Sequence, residues 1–303
     1  MKFLSIIIGL LCLWSQESLH GQDFVNMEKE LMFEADVMMN ASLPKHRKQA
    51  FYHFDTLFES ILQTKSSFQY PFDSLTWISK KQPDDLRFRI FTGIIDEGNG
   101  SYFHFGWLQT NDGKLYTLKD HFKAADDWEY SFTGTDDWMG AMYYDLKKDK
   151  DKDGNHYLLF GIHRFDEAEN CKILDVLFFE ENGQPVFGKE IFRKENKGAK
   201  DLIKTRIVLK YEASSFVGLH YNENLKYIVH DHLIPKVMAN SQTGMTLISD
   251  GSLVGYEKKG EFWQYIDKIY TQTLDEAPRP KPVLDKRPKD LFGKEKNSAG
   301  NKK

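Results

Sequence analysis

The hydrophobic period of this chain changes once, near Phe68, and that change limits the folds open to it. Before it, apolar residues recur every three to four positions. Phe24, Met27, Leu31, Ala35 and Met38 line one face of a helix over 24–40. Pro44 sits where a second helix can begin, with Ser42 as its cap, after a short turn near Ser42 and Leu43. Ala50, Phe51, Phe54, Leu57, Phe58, Ile61 and Leu62 then form a second apolar stripe.

Beyond Phe68 the period becomes two. Leu86, Phe88 and Ile90 alternate with Arg87 and Arg89, and Ile203, Thr205, Ile207 and Leu209 alternate with Lys204, Arg206 and Lys210. Such alternation predicts strands with one wet face. Turn-forming groups separate the apolar runs at Glu97–Gly100, Asn111–Gly113, Asn182-Gly183, Asn222–Asn224 and Lys259-Gly260. Consecutive hairpins make a meander, here of about eleven strands. Asp120–Asp137 and Pro235–Asp250 read as two long loops. The expected fold class is α+β: two N-terminal helices packed on a large antiparallel β-meander, curled or split into a sandwich. The expected divisions are a leader over 1–21, the helical pair over 22–66, the β domain over 67–274 and a disordered charged tail over 275–303.

The leader reading rests on order. Met1-Lys2 is a short positive start, Phe3–Trp14 is continuously apolar, and Ser15–Gly21 is polar and ends on a small residue. The apolar run is shorter than the about 20 residues that span a bilayer. This predicts a signal peptide and a mature chain without a transmembrane segment, in the periplasm or outside the cell. The tail from Asp275 carries nine basic and five acidic residues, the leader is neutral, and the net charge is −4, so the body carries about −8. An acidic body argues against nucleic acid as a partner. Cys12 lies in the leader, so Cys171 is alone in the mature chain and no internal disulfide is available. Its place at the start of an apolar strand predicts a buried thiol.

Four segments, Trp138–Leu146 (WMGAMYYDL), His156–Phe165 (HYLLFGIHRF), Ile173–Phe192 (ILDVLFFEENGQPVFGKEIF) and Arg206–Pro235 ending in YNENLKYIVHDHLIP, resemble in order and wording a group of uncharacterised secreted proteins of Bacteroidota. The resemblance covers roughly the middle half of the chain. It implies export into a bacterial envelope and brings no activity or site with it. With no separate sorting domain evident at the C-terminus, it favours the periplasm over the cell surface.

Three patterns nominate sites. Asp149, Asp151 and Asp153, closed by Gly154, place carboxylates at alternate positions as in a calcium loop, but Phe160 stands where the twelfth-position Glu belongs and the flanks read as strands. The plain alternative is a solvated hairpin loop whose aspartates are neutralised by the intervening lysines. His230 and His232 could share a strand face and a metal. A third ligand from His220 is excluded, because a three-residue loop at Asn222–Asn224 would put it about 13 Å from His230. Asp126, Asp127, Trp128, Glu129, Tyr130, Asp136, Asp137 and Trp138 combine carboxylates with aromatics, which suits stacking against sugar rings. Trp128, Tyr130 and Trp138 are therefore the candidate ligand-binding residues, with loop anchoring by the tryptophans as the alternative.

G-x-S-x-G, H-E-x-x-H, G-x-x-x-x-G-K-[ST] and C-x-x-C do not occur. The expected function is non-catalytic binding of a ligand or envelope partner. The competing expectation is a periplasmic hydrolase acting on glycans or peptides through paired carboxylates near 120–137. No cofactor is expected beyond calcium at Asp149–Asp153.

Overall fold

The computed structural model describes residues 21–122, 127–196, 198–237 and 244–269, with the side chains of 21 and 22 excepted. The leader up to His20 and the charged tail lie outside them, as does Asp126. The chain divides into two units, Met1–Ile269 and Tyr270–Lys303, and everything below concerns the first.

The fold is α+β. Helix α1 (Gly21–Asn40) buries Phe24, Leu31, Ala35 and Met38, and α2 (Pro44–Leu62) buries Ala50, Phe51, Phe54, Phe58, Ile61 and Leu62. Leu43, not Ser42, is the residue before the first turn of α2, and it gives no side-chain cap; Pro44 supplies the preset φ instead.

Fifteen strands follow among the described residues, against about eleven expected, and they are arranged in three sheets. The first is a meander in the order β1 (Ser79–Lys81), β2 (Phe88–Gly98), β3 (Ser101–Thr110), β4 (Leu115–Lys119). The second runs β11 (Ile207–Glu212), β7 (Glu169–Phe179), β6 (Gly154–Arg164), β5 (Met142–Asp151), with β8 (Pro185–Phe187) paired to β7. The third runs β10 (Leu202–Lys204), β9 (Phe192–Lys194), β15 (Phe262–Ile266), β14 (Met245–Lys259), β13 (Tyr227–Val237), β12 (Leu219–Asn222). All pairings are antiparallel except β15 with β9.

Alternation along the strands builds the layers. Phe91, Ile95, Phe105 and Trp107 of the first sheet pack against the helices. Phe88, Ile90, Leu108 and Leu118, on its other face, pack against Tyr157, Leu159, Cys171 and Ile173 of the second sheet. The opposite residues of that sheet, Leu158, Phe160, Leu174 and Val176, meet Phe192, Leu219, Ile228 and Trp263 of the third. The two inner sheets are thus covered on both faces. Strands in that position read as continuous apolar runs, which is why β6 and β7 are spelled YLLFGI and KILDVLFF.

Three expectations are corrected. Arg89, read as lying on a wet face, is buried, donating to Gln109 Oε1 (2.7 Å), the Tyr70 carbonyl (2.7 Å) and the Ser67 carbonyl (2.6 Å). Burial pulls its pKa down to about 10. Ile203–Leu209 is not one strand: β10 belongs to the third sheet and β11 to the second, and the chain changes sheet at Thr205-Arg206. Pro235–Asp250 is not a loop over its described residues. Pro235 opposes Leu247 and Val237 opposes Met245 as β13 and β14 continue past the end of β12. Proline is tolerated there because β13 has a neighbour on one side only.

Candidate binding groove and the polar clusters of the sheet interior

A groove of about 460 Å³ lies between the start of α2 and the tip of the β2–β3 hairpin. Its walls are Phe51, Ile95 and Phe103, and Pro44, Lys45, Lys48 and Tyr52 edge it from the helix. Packing sets this geometry. Phe51 contacts Phe103 (5.1 Å between centroids, edge to face) and Phe105 (5.0 Å), which seats α2 on the hairpin. Arg47 ties the two together, donating to the Asp96 carbonyl (2.6 Å) and the Ala41 carbonyl (2.8 Å). Gly98 has φ +84°, and a Cβ there would stand 2.7 Å from Pro44 Cγ, so the hairpin reaches the helix start only with glycine at this position.

The groove's lining carries two lysines against one carboxylate, Glu97. Among the described residues neither Lys45 nor Lys48 has a carboxylate within 4 Å, and both are exposed. They extend from the first turns of α2, at the positive end of the helix dipole. Glu97, the acidic residue of the lining, accepts from Ser101 Oγ at 3.1 Å. The arrangement holds apolar surface beside unpaired positive charge.

The sequence-nominated aromatics do not share one site. Trp138 is fully buried and donates its indole N–H to Tyr143 Oη (2.9 Å). Trp128 is buried against Phe122, ring over ring at 5.3 Å. Both tryptophans are taken up by the core, so they present no face to a ligand. Tyr130 alone of the three is exposed.

The Asp149–Asp153 segment is a tight hairpin between β5 and β6. Strand β5 continues to Asp151, opposite Gly154, and only Lys152-Asp153 forms the turn. Its carboxylates already face cations, and these come from elsewhere in the chain rather than from the intervening lysines. Asp149 Oδ2 accepts from Lys258 Nζ (2.7 Å), His156 Nε2 (3.0 Å) and Trp263 Nε1 (2.9 Å). Asp151 and Asp153 each lie 3.2 Å from Lys189 Nζ. Burial pushes the Asp149 carboxyl up, but the hydrogen bonds from His156 and Lys258 outweigh it and hold the group well below the carboxylate range.

The His230/His232 pair fails for geometric reasons. A shift of register between Asp231 and Leu233 breaks the alternation, and His232 bonds to Asp250 (2.8 Å). The loop after β12 is Glu223–Lys226, one residue longer than expected. It sets Leu219, not His220, opposite His230, and places His220 next to it opposite Val229. His220 therefore lies close to His230 but on the other face of the sheet. Cys171 is free and buried, and burial raises its thiol pKa, which leaves it protonated and inert.

One histidine cluster was not read from the sequence. His104 of β3 and His163 of β6 point into the space between the first two sheets, stacked at 4.0 Å and 13°, with Asp120 beside them. The three could offer ligand atoms within 4.8 Å of one another. Their hydrogen bonds speak against an ion. The Arg164 backbone N–H donates to His104 Nε2 (3.1 Å), so the proton sits on Nδ1 and is given to Asp120 Oδ2 (2.8 Å). His163 Nδ1 faces the Gly140 carbonyl (2.7 Å). With both His104 nitrogens committed, His163 Nε2 and Asp120 remain, fewer than the three protein ligands of a catalytic zinc. The cluster joins two sheets: Gly140 (φ +71°) leaves the space into which Asp120 fits. The signal was a histidine inside each of two strongly apolar strands, FHFGW and FGIHR.

No family model, no curated protein and no solved structure matches this chain.

Proposed function

We propose that this is an exported envelope protein without catalytic activity that binds an amphipathic ligand, an apolar chain or ring ending in an anionic group, in the groove between α2 and the β2–β3 hairpin. The observation that carries this reading is the pairing of an apolar trough, Phe51, Ile95 and Phe103, with two lysines that have no partner among the described residues. A concave, mostly apolar cleft with a few polar groups at its rim is the usual form of a small-molecule site. Export is supported by the order of segments in Met1–Gly21 and by the likeness to secreted proteins of Bacteroidota. No helix among the described residues is long and apolar enough to cross a membrane. The acidic body is the reason nucleic acid is not the proposed partner.

Hydrolysis by carboxylates near 120–137 has less support. Asp120 is bound to His104, Glu129 to Lys204 (2.6 Å) and Asp136 to Lys119 (2.6 Å). A glycosidase needs two carboxylates free to face one bond.

Calorimetric titration of the protein with dodecanoate and with dodecanol tests the reading. Dodecanoate should bind saturably and more tightly than the alcohol. A Lys45→Glu/Lys48→Glu variant should lose about tenfold or more in affinity, which is 1.4 kcal/mol. Equal binding of acid and alcohol, or an unaffected charge-reversed variant, would remove the anionic ligand. Fractionation of the producing cells, with the leader either cleaved or retained on a cytoplasmic chain, tests the address.

A further inference from the structure

Between the second and third sheets lies a smaller cavity of about 220 Å³, remote in the fold from the groove on α2. Glu129, Lys194, Lys204, His230, Tyr256 and Tyr265 are among its lining residues. His230 stands on β13 two residues after Ile228, on the face turned to the second sheet, and is 6% exposed. Its Nδ1 lies 2.8 Å from the Asp231 carbonyl, so that nitrogen carries the proton and donates it. Nε2 then holds a lone pair. It is buried and has no hydrogen-bond partner in the protein. Buried acceptors are rarely left so.

We propose that this cavity is a binding site for a small neutral polyhydroxyl ring, a single sugar residue, whose hydroxyl donates to His230 Nε2. The cavity's own groups select the class. Desolvation lowers the His230 pKa against the pull of the Asp231 carbonyl, keeping the ring neutral and accepting. An anion would set its lone pairs against that of Nε2. A cation would face Lys194 and Lys204. A hydroxyl supplies the missing donor, while Glu129 and Lys204, paired at 2.6 Å, can respectively accept from and donate to further hydroxyls. Tyr256 and Tyr265, edge to face at 5.5 Å, supply aromatic walls. The volume lies below the about 300 Å³ at which drug-sized pockets begin, which suits one ring and not a chain. The site is independent of the groove on α2. Its signal in the sequence was half seen: Glu129 belongs to the acidic, aromatic segment read as sugar-binding, but its partners come from β9, β10, β13, β14 and β15.

The test titrates the full chain separately with glucose, galactose, mannose and N-acetylglucosamine. The imidazole nitrogen-15 resonances of His230 are followed throughout. At least one sugar should shift Nε2 saturably with a Kd on the millimolar scale, about −4 kcal/mol. His230→Phe should weaken that sugar's binding by about tenfold or more. The half-buried Tyr265→Ala, a milder change should His230→Phe not fold, should weaken it too, while Lys45→Glu/Lys48→Glu should leave it intact. No saturable shift of Nε2 with any of the four sugars would overturn the proposal. So would binding that survives both Tyr265→Ala and His230→Phe, or binding that the lysine reversals abolish.

Discussion

Arg206 Nε donates to Asp175 Oδ1 at 2.9 Å, and both side chains are wholly withdrawn from water. The pair sits where the chain leaves the third sheet for the second. The remaining Arg206 donors reach the Trp128 carbonyl (2.7 Å), the Ser131 carbonyl (3.2 Å) and Thr133 Oγ1 (3.2 Å), and Asp175 Oδ2 accepts from Tyr143 Oη (3.2 Å). One guanidinium thus fastens the segment around Trp128 to the middle of β7. Removing one partner leaves the other charge buried and unpaired, at a cost of about 3–5 kcal/mol. Asp175→Ala and Arg206→Ala should each lower stability by that amount in urea unfolding. An Arg206→Met/Asp175→Leu double variant should be less damaged than the two singles sum to. Single variants within about 0.5 kcal/mol of the parent, the range of an ordinary surface change, would show that the pair does not hold this crossing.

Millimolar calcium should leave the melting temperature unchanged. A ligand that binds only the native state must raise it, but here Lys258, Lys189 and His156 already occupy the carboxylates of Asp149, Asp151 and Asp153. A calcium-dependent rise, lost in Asp151→Asn, would restore the calcium loop.

Acid should destabilise the protein through His163. Burial, then the neighbouring His104, pushes its pKa from 6.5 down to about 3, against the Gly140 carbonyl and Asp120; Lys210 adds to the lowering. The unfolded chain therefore takes up a proton that the native state refuses. The stability this group confers is intact above pH 6.5 and is lost as pH falls from there toward 3. Melting temperatures across that window should drop less steeply in His163→Gln than in the parent. Parallel curves would mean that His163 titrates normally.

Asp55 has the opposite sign of interest. Burial, then Glu59, raises its pKa from 3.8 to about 6. The native state holds the proton more tightly, so this group's contribution declines as pH rises from about 4 to 6, and at neutral pH the ionised form is the disfavoured one. Asp55→Asn should raise the melting temperature by a few degrees at pH 7, and by less at pH 4, where Asp55 is already largely protonated. Equal effects at the two pH values would place the cause elsewhere.

Much of this architecture was legible along the chain. The stripes Phe24–Met38 and Ala50–Leu62 mark the helices because a helical face needs its apolar residues in local register. Asn99-Gly100 marks a hairpin because both residues take positive φ, at 55° and 75°. The α+β class follows from that switch of period alone. The number of layers does not. Whether Arg89 or Arg206 meets water depends on which segment packs over it, and that cover comes from residues as far as 22 and 78 positions away, Ser67 for Arg89 and Trp128 for Arg206. The same holds for the sites. Trp128 and Trp138 looked like contact residues because an aromatic beside carboxylates reads alike whether it is exposed or roofed over. Lys45, Lys48 and His230 gained their meaning only when a hairpin closed against a helix and one sheet closed over another. Local pattern decides which segments become helix or strand, since that choice is made within one or two turns of chain. Burial and pairing are decided by elements distant in sequence, and at these positions burial and pairing set the chemistry.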